Sequence, residues 1–280
     1  MTKERSCEFK PIPAGGGVPA DRQPLASLTP VELARRMGFE PDPKQALVLT
    51  STATQGILNC SRQWGKSTVA AALAVCTMVR KPGCLVVVTS PSKRQSALLV
   101  RTVAQMVARL GLRGKKDPAF EVSVVLPNGS WTVGLPGREA TVRGLARASL
   151  VLIDEAARVP DEMYYAVLPM LAIEQGSIWL MSTPWFAQGF FYEEWAQGGP
   201  EWERISVKAT ECPRISAEWL EKQRARGGPE RFRREYMAEF IQDDASAFDA
   251  EMVDSAMDDG IAPFELAISE FRQKKARLGP

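Results

Sequence analysis

Apolar positions along this chain come in two kinds of run. Short ones occupy residues 84–89 (CLVVVT), 150–153 (LVLI) and 178–181 (IWLM), with a similar segment at 56–60 (GILNC). A continuous apolar run of that length predicts a parallel strand covered on both faces. Longer segments at residues 66–79, 93–110, 161–173 and 190–196 predict helices, the first broken by Pro82-Gly83 and the second stopped at Gly111. Thr29-Pro30 opens a short helix through Leu33 to Met37, with proline at an N1-like position and Gly38 at its end. Residues 45–50 predict another helix. Residues 202–208 predict a strand, and residues 216–226 and 230–240 two further helices. Pro127-Asn128-Gly129, between residues 121–126 and 130–134, is a hairpin signal. Buried strands alternating with helices predict an α/β fold with a mainly parallel sheet flanked by helices. No internal repeat is visible.

The two ends read differently. Residues 1–28, with Gly15-Gly16-Gly17 and several prolines, predict a loose tail. Residues 243–280 are acidic and then basic, with a helix-like pattern near 264–277, and predict a linker and a short helical C-terminal extension. The expected domain is therefore 29–242. Composition changes little: 280 residues, 45% hydrophobic and 24% charged, give an ordinary globular balance. Thirty-five Lys+Arg against 33 Asp+Glu leave a formal charge of +2, so any basic surface must be local. The absence of histidine is more decisive. It excludes His-ligated zinc, Ser-His-Asp and Cys-His nucleophiles, and a histidine general base. Five scattered cysteines without CxxC spacing fit a reducing, cytoplasmic setting. The N-terminus lacks the apolar stretch of a signal peptide, and the longest apolar run, 69–79, is too short to span a bilayer, so no membrane partner is expected.

Chemistry concentrates at the ends of the predicted strands. Cys60-Ser61-Arg62-Gln63-Trp64-Gly65-Lys66-Ser67-Thr68 follows a strand and opens a helix. Its Gly-Lys-Ser end matches a P-loop, although Cys60 stands where the first glycine usually lies. Backbone N–H groups from Ser61 to Thr68 would cradle phosphates, Lys66 would reach the β- and γ-phosphates, and the Ser67 hydroxyl would meet Mg²⁺. Gly-Lys-Ser alone also fits an ordinary helix N-cap; the strand–turn–helix context favours the phosphate reading. Asp154-Glu155 closes the 150–153 strand in the manner of a Walker B site, Asp154 holding Mg²⁺ and Glu155 polarising the attacking water. Ser182-Thr183-Pro184 ends the 178–181 strand, where small hydroxyls suit either γ-phosphate sensing or a plain strand-terminating turn. Gln45 carries an amide able to pair with both edges of adenine. Arg143 and Arg62 are the two candidates for an arginine that stabilises the transferring phosphoryl group.

Taken together, ILNCSRQWGKST, the Arg143-Gly144 turn, LVLIDEAARVPD and LMSTP resemble the ATPase domain of the large terminase subunit of tailed bacteriophages. The Pro41-Asp42-Pro43-Lys44-Gln45 element upstream and ERFRREYMAEF at 230–240 fit the same resemblance, which covers residues from about 29 to about 250. It implies a P-loop NTPase fold of the ASCE/RecA-like kind, with ATP and Mg²⁺ as cofactors. It implies Lys66 and Ser67 on phosphate and Mg²⁺, Arg62 in a variant P-loop, Asp154 and a catalytic Glu155 as the Walker B pair, and Ser182 and Thr183 in a coupling motif. Gln45 falls at the adenine-reading position and Arg143 at the arginine finger. The family drives double-stranded DNA into an empty procapsid, usually as a homo-oligomeric ring of five on a portal protein, with a small terminase subunit, in the cytoplasm of the infected host. The family's C-terminal nuclease has no room in residues 243–280, so nuclease activity is not expected of this chain alone; a separate nuclease is one expectation, and a truncated copy another. A helicase-like translocase and a non-catalytic partner-binding remnant are the competing readings. Basic residues that could meet DNA, among them Lys93, Arg94, residues 113–116 and residues 222–234, each fit a solvated face better when taken singly. The aromatic group Trp185, Phe186, Phe190, Phe191, Tyr192 and Trp195 fits packing better than base stacking.

Overall fold

A computed structural model describes residues 23–136 and 145–242. Seven strands form one sheet: β1 (Gln55–Cys60), β2 (Leu85–Ser90), β3 (Ser123–Val125), β4 (Trp131–Pro136), β5 (Ala148–Asp154), β6 (Ser177–Ser182) and β7 (Trp202–Val207), in the order β3-β4-β2-β5-β6-β1-β7. Every pairing is parallel except β3 with β4, the hairpin turned at Pro127-Asn128-Gly129. The continuous apolar runs resolve into two faces at the period of the pleat. Val86, Val88, Leu150, Leu152, Trp179 and Met181 point into one core. Leu85, Val87, Val151, Ile153, Ile178 and Leu180 point into the other.

The first core is covered by α1 (Pro30–Arg36), α2 (Pro43–Thr50), α3 (Lys66–Arg80) and α4 (Lys93–Arg109). The second is covered by α5 (Asp161–Val167) and α6 (Gly189–Ala196). A small third cluster of Ala209, Leu220, Phe232 and Tyr236 joins α7 (Ala217–Gly227) to α8 (Pro229–Met237). Local sequence explains the helix starts. Thr29 and Asp42 each make a capping box with the residue three further on, Glu32 and Gln45, and proline occupies the first turn of both helices. Trp179 lies flat on β1 because residue 56 is glycine; a Cβ there would sit 2.4 Å from the indole. The loop between α6 and β7 is gathered by one side chain. Arg204 donates from Nε to Trp195 O, from Nη1 to Gly199 O and Trp202 O, and from Nη2 to Glu194 O and Gly198 O.

Three expected boundaries move. The packed region begins before residue 29: Leu25–Ser27 form a 3-10 turn and Leu28 is buried in the first core. The helix expected over 161–173 stops at Val167 and tightens into a 3-10 turn, Leu168–Leu171, because Pro169 has no N–H for the helical ladder. The helix expected to reach 240 ends at Met237, where Ala238 takes a left-handed conformation, and Ile241 then pairs with Phe186. The expected linker and terminal helix at 243–280 lie outside the described residues. No helix among the described residues is long and apolar enough to cross a membrane.

Candidate active site

The C-terminal ends of β1, β5 and β6 lie side by side, because β1 inserts between β6 and β7 while α3 crosses from β1 to the distant β2. Ligands of open parallel sheets bind at such carboxyl ends, where the strand order switches. After β1 the chain turns through Gln63 (φ 66°) and Gly65 (φ 105°) and enters α3 at Lys66. Thr68 N and Val69 N both donate to Gly65 O, closing the first helical turn. A free helix N-terminus at the end of a buried strand is a phosphate-binding arrangement. Lys66 is only 8% exposed; its Nζ donates to Thr183 Oγ1 (3.0 Å) and lies 3.7 Å from Glu155 Oε1. Ser67 Oγ donates to Asp154 Oδ2 (2.9 Å), and Glu155 N donates to Asp154 Oδ1 (3.1 Å).

Asp154 is buried, and burial is the main force holding its carboxyl above the usual carboxylate range. The Glu155 charge adds to this, while Lys66 and the Ser67 hydroxyl oppose it. A buried carboxylate with a serine hydroxyl as neighbour supplies two hard oxygen donors. That donor set suits Mg²⁺, which takes few protein ligands and completes its shell with phosphate oxygens and water. Glu155 itself sits in left-handed backbone (φ 53°, ψ 42°), an uncommon state for a residue with a side chain and one that clusters at functional sites. Cys60, in the place of the usual glycine, is fully buried between β1 and β6, its thiol directed at Ser182 O and pushed up to about 12 by burial. It packs in the first core.

The remaining expected site residues fall in several places. Thr183 and Ser182 are both buried at the β6 exit; Thr183 meets Lys66, whereas the Ser182 hydroxyl donates to Thr183 O (2.8 Å) and holds that turn. Ser61 is fully buried, its N–H on Val207 O (2.8 Å). Gln63 is exposed, and Thr68 is half-buried. Trp64 packs its ring inside the first core. Arg62 is turned towards α8: its N–H donates to Glu235 O (3.0 Å) and its guanidinium lies 3.5 Å from the Glu235 carboxylate. Gln45 lies against the P-loop. It is 1% exposed, with Oε1 accepting from Asp42 N (2.9 Å) and Nε2 donating to Trp64 O (3.1 Å). Its amide braces the P-loop backbone. Arg143 lies outside the described residues.

Two contributors escaped the sequence reading. Arg214 also donates to Trp64 O and lies 3.6 Å from Asp42, completing the brace begun by Gln45. Glu235 is a buried acid within a basic stretch, paired with Arg62 and with Arg231 (3.3 Å). Arg214 sits in a loop with no periodicity to mark it. Glu235 was hidden among the arginines that made α8 look like a solvated face.

The sheet, its phosphate-cradling turn and the Asp154–Glu155 pair define a P-loop NTPase of the terminase type. The profile of the family described as terminase large subunit, T4likevirus-type, N-terminal, matches residues 57–254, and the chain belongs to that family. The large terminase subunit of Thermus virus P23-45 is 26% identical over 252 aligned residues, covering 76% of this chain and 51% of the relative. The chain thus spans about half the length of the curated relatives it matches. Among solved structures, the ATPase domain of the Thermus phage P74-26 large terminase superposes with a TM-score of 0.69 at 24% identity, covering 76% of this chain and all of that domain. The HK97 large terminase gives 0.63 at 17% identity, over 76% of this chain and 55% of its own. The large terminase of a thermophilic bacteriophage, solved in complex with ADP, gives 0.62 at 14% identity, over 72% of this chain and 54% of its own. These likenesses establish the fold.

Proposed function

We propose that this chain hydrolyses ATP to ADP and phosphate and couples the reaction to moving double-stranded viral DNA into a procapsid. The observation that supports this most is the convergence of Lys66, Thr183 and Glu155, with Ser67 on Asp154, at three adjacent strand ends. The P-loop amides and Lys66 bind the phosphates, as that arrangement does for anions generally. Ser67 and Asp154 would hold Mg²⁺, which would neutralise phosphate charge when bound. Glu155 orients the attacking water, and Lys66 offsets the negative charge that develops on the transferring group. Arg143 acts as the arginine finger, from the same or a neighbouring subunit; Arg62, within the P-loop but with its guanidinium on Glu235, is the alternative. Thr183 is positioned by the same lysine that meets the γ-phosphate, so loss of that phosphate reaches the β6 exit through Thr183 and Ser182. The working assembly is a ring of five subunits on a portal protein, served by a small terminase subunit, in the host cytoplasm.

Steady-state hydrolysis with Mg²⁺, with and without linear duplex DNA and across protein concentration, tests this reading. Turnover is expected to rise with DNA and with concentration. Lys66→Ala and Glu155→Gln should each lower it by at least roughly 10²-fold, the range of a lost catalytic group, while Glu155→Gln still binds nucleotide. Wild-type turnover in either variant would show the site to be misassigned. Unwinding of a forked duplex would instead identify a helicase-like translocase.

A further inference from the structure

Two guanidiniums share one indole beside the site. Arg158 Cζ lies 4.3 Å, and Arg234 Cζ 3.9 Å, from the ring centroid of Trp185. Arg158 closes the 3-10 turn Ala156–Arg158 that follows Glu155, Trp185 follows Thr183-Pro184, and Arg234 arrives on α8. Three separate parts of the chain therefore bring like charges to one ring. The neighbouring arginines of α8 are neutralised: Arg231 by Glu235 at 3.3 Å and Arg233 by Glu239 at 2.6 Å. Among the described residues neither Arg158 nor Arg234 has a carboxylate in ion-pair range, and Arg234 Nε is buried without a hydrogen-bond partner. Burial draws the Arg234 guanidinium below its ordinary range, and the nearby Arg158 adds to this against the pull of Glu235 and Glu230. Arg158 is exposed and Trp185 partly so, which leaves the group open to solvent.

Cations held together without an ion-pair partner in range raise the energy of the free protein unless an anion completes the set. Planar guanidinium forks match phosphate oxygens, and an aromatic ring that both contact keeps the forks from folding away. The nucleotide phosphates already have Lys66, Ser67 and the P-loop amides. We propose that Arg158 and Arg234, layered on Trp185, clamp a backbone phosphate of double-stranded DNA next to the nucleotide site. The inference rests on the reading that this chain acts on DNA. It gives that reading a place: the clamp shares its supporting turns with Glu155 and Thr183.

The test is binding of a fluorescent blunt duplex of about 20 base pairs to the full chain, by anisotropy across a salt series, beside ADP binding. Each neutralised phosphate contributes about 0.9 to the slope of log K against log salt. Arg158→Gln and Arg234→Gln should each reduce the slope by about that amount and the double variant by about twice it, with ADP affinity unchanged. Arg158→Lys and Arg234→Lys, which keep the charge but lose the planar fork, should retain the slope while binding more weakly than wild type. If wild type binds the duplex and the glutamine variants match it in affinity and slope, the clamp is wrong and the DNA reading survives. If wild type binds no duplex, both fall. Glutamine and lysine variants that lose ADP and DNA binding together would reduce the cluster to a structural fastener and overturn the clamp.

Discussion

Asp154 sits in an environment that disfavours its own charge, and this sets stability against function at one atom pair. Its carboxyl titrates above the unfolded value of 3.8, because burial outweighs the help of Lys66 and Ser67. Between those two values the native state holds a proton that the unfolded chain has released, so stability falls as pH rises through the window. Above the folded value the cost is fully present; below 3.8 it vanishes. Asp154→Asn should therefore melt higher than wild type at pH 7 without nucleotide, by roughly 2–4 °C, the shift that about 1 kcal/mol makes in a domain of this size. The advantage should disappear near pH 3.5 if the wild-type acid is then neutral. A variant that melts lower at neutral pH would mean that the contacts to Ser67 and Glu155 outweigh desolvation.

At the scale of elements, the P-loop is braced from outside its own motif. Trp64 O receives donors from Gln45 on α2 and from Arg214 ahead of α7, and both of these residues engage Asp42, at the start of α2. Either donor alone keeps the carbonyl satisfied, whereas removing both leaves a buried acceptor without a partner. Gln45→Ala and Arg214→Ala should each weaken ADP binding by about 1 kcal/mol, and the double variant should lose more than the sum, with a coupling of at least about 0.5 kcal/mol. Strict additivity in calorimetric titration would show that the two do not act through Trp64. An amide suits both edges of adenine, and the resemblance separately places Gln45 at the adenine-reading position. The capping box adds a contact that neither reading carried: Gln45 is the third residue of α2, so its Oε1 folds back on Asp42 N and its Nε2 is left facing the loop.

For the whole molecule, the sheet and its two cores were readable because apolar runs and Gly-Lys-Ser are local signals. Leu85 to Val88 sits in the sequence as one block, yet the pleat divides it between opposite faces without any further instruction. Strand order was not readable in the same way. Nothing within residues 55–60 states that β6 and β7 will flank them, since that choice is made by partners more than a hundred residues away. The pairing of Arg62 with Glu235 escaped for the same reason. Shared burial gives a probe of this cooperative unit. Cys60, Cys76 and Cys84 all lie in the first core, with thiols pushed up to about 12, 12 and 11 by burial. Iodoacetamide at pH 8 should leave these three unmodified in the native protein and label them together on unfolding, read by peptide mass spectrometry. Labelling of one well ahead of the others would reveal a core that opens in parts.

Arg204 joins the α6–β7 loop by matching every donor of one guanidinium to a different carbonyl. Such a fit has no graded series of substitutes. Lysine offers three donors and strands at least two acceptors; glutamine offers two and strands three. Drift at this position is closed to small steps, so a descendant sequence must either keep the arginine or redesign the loop in one move.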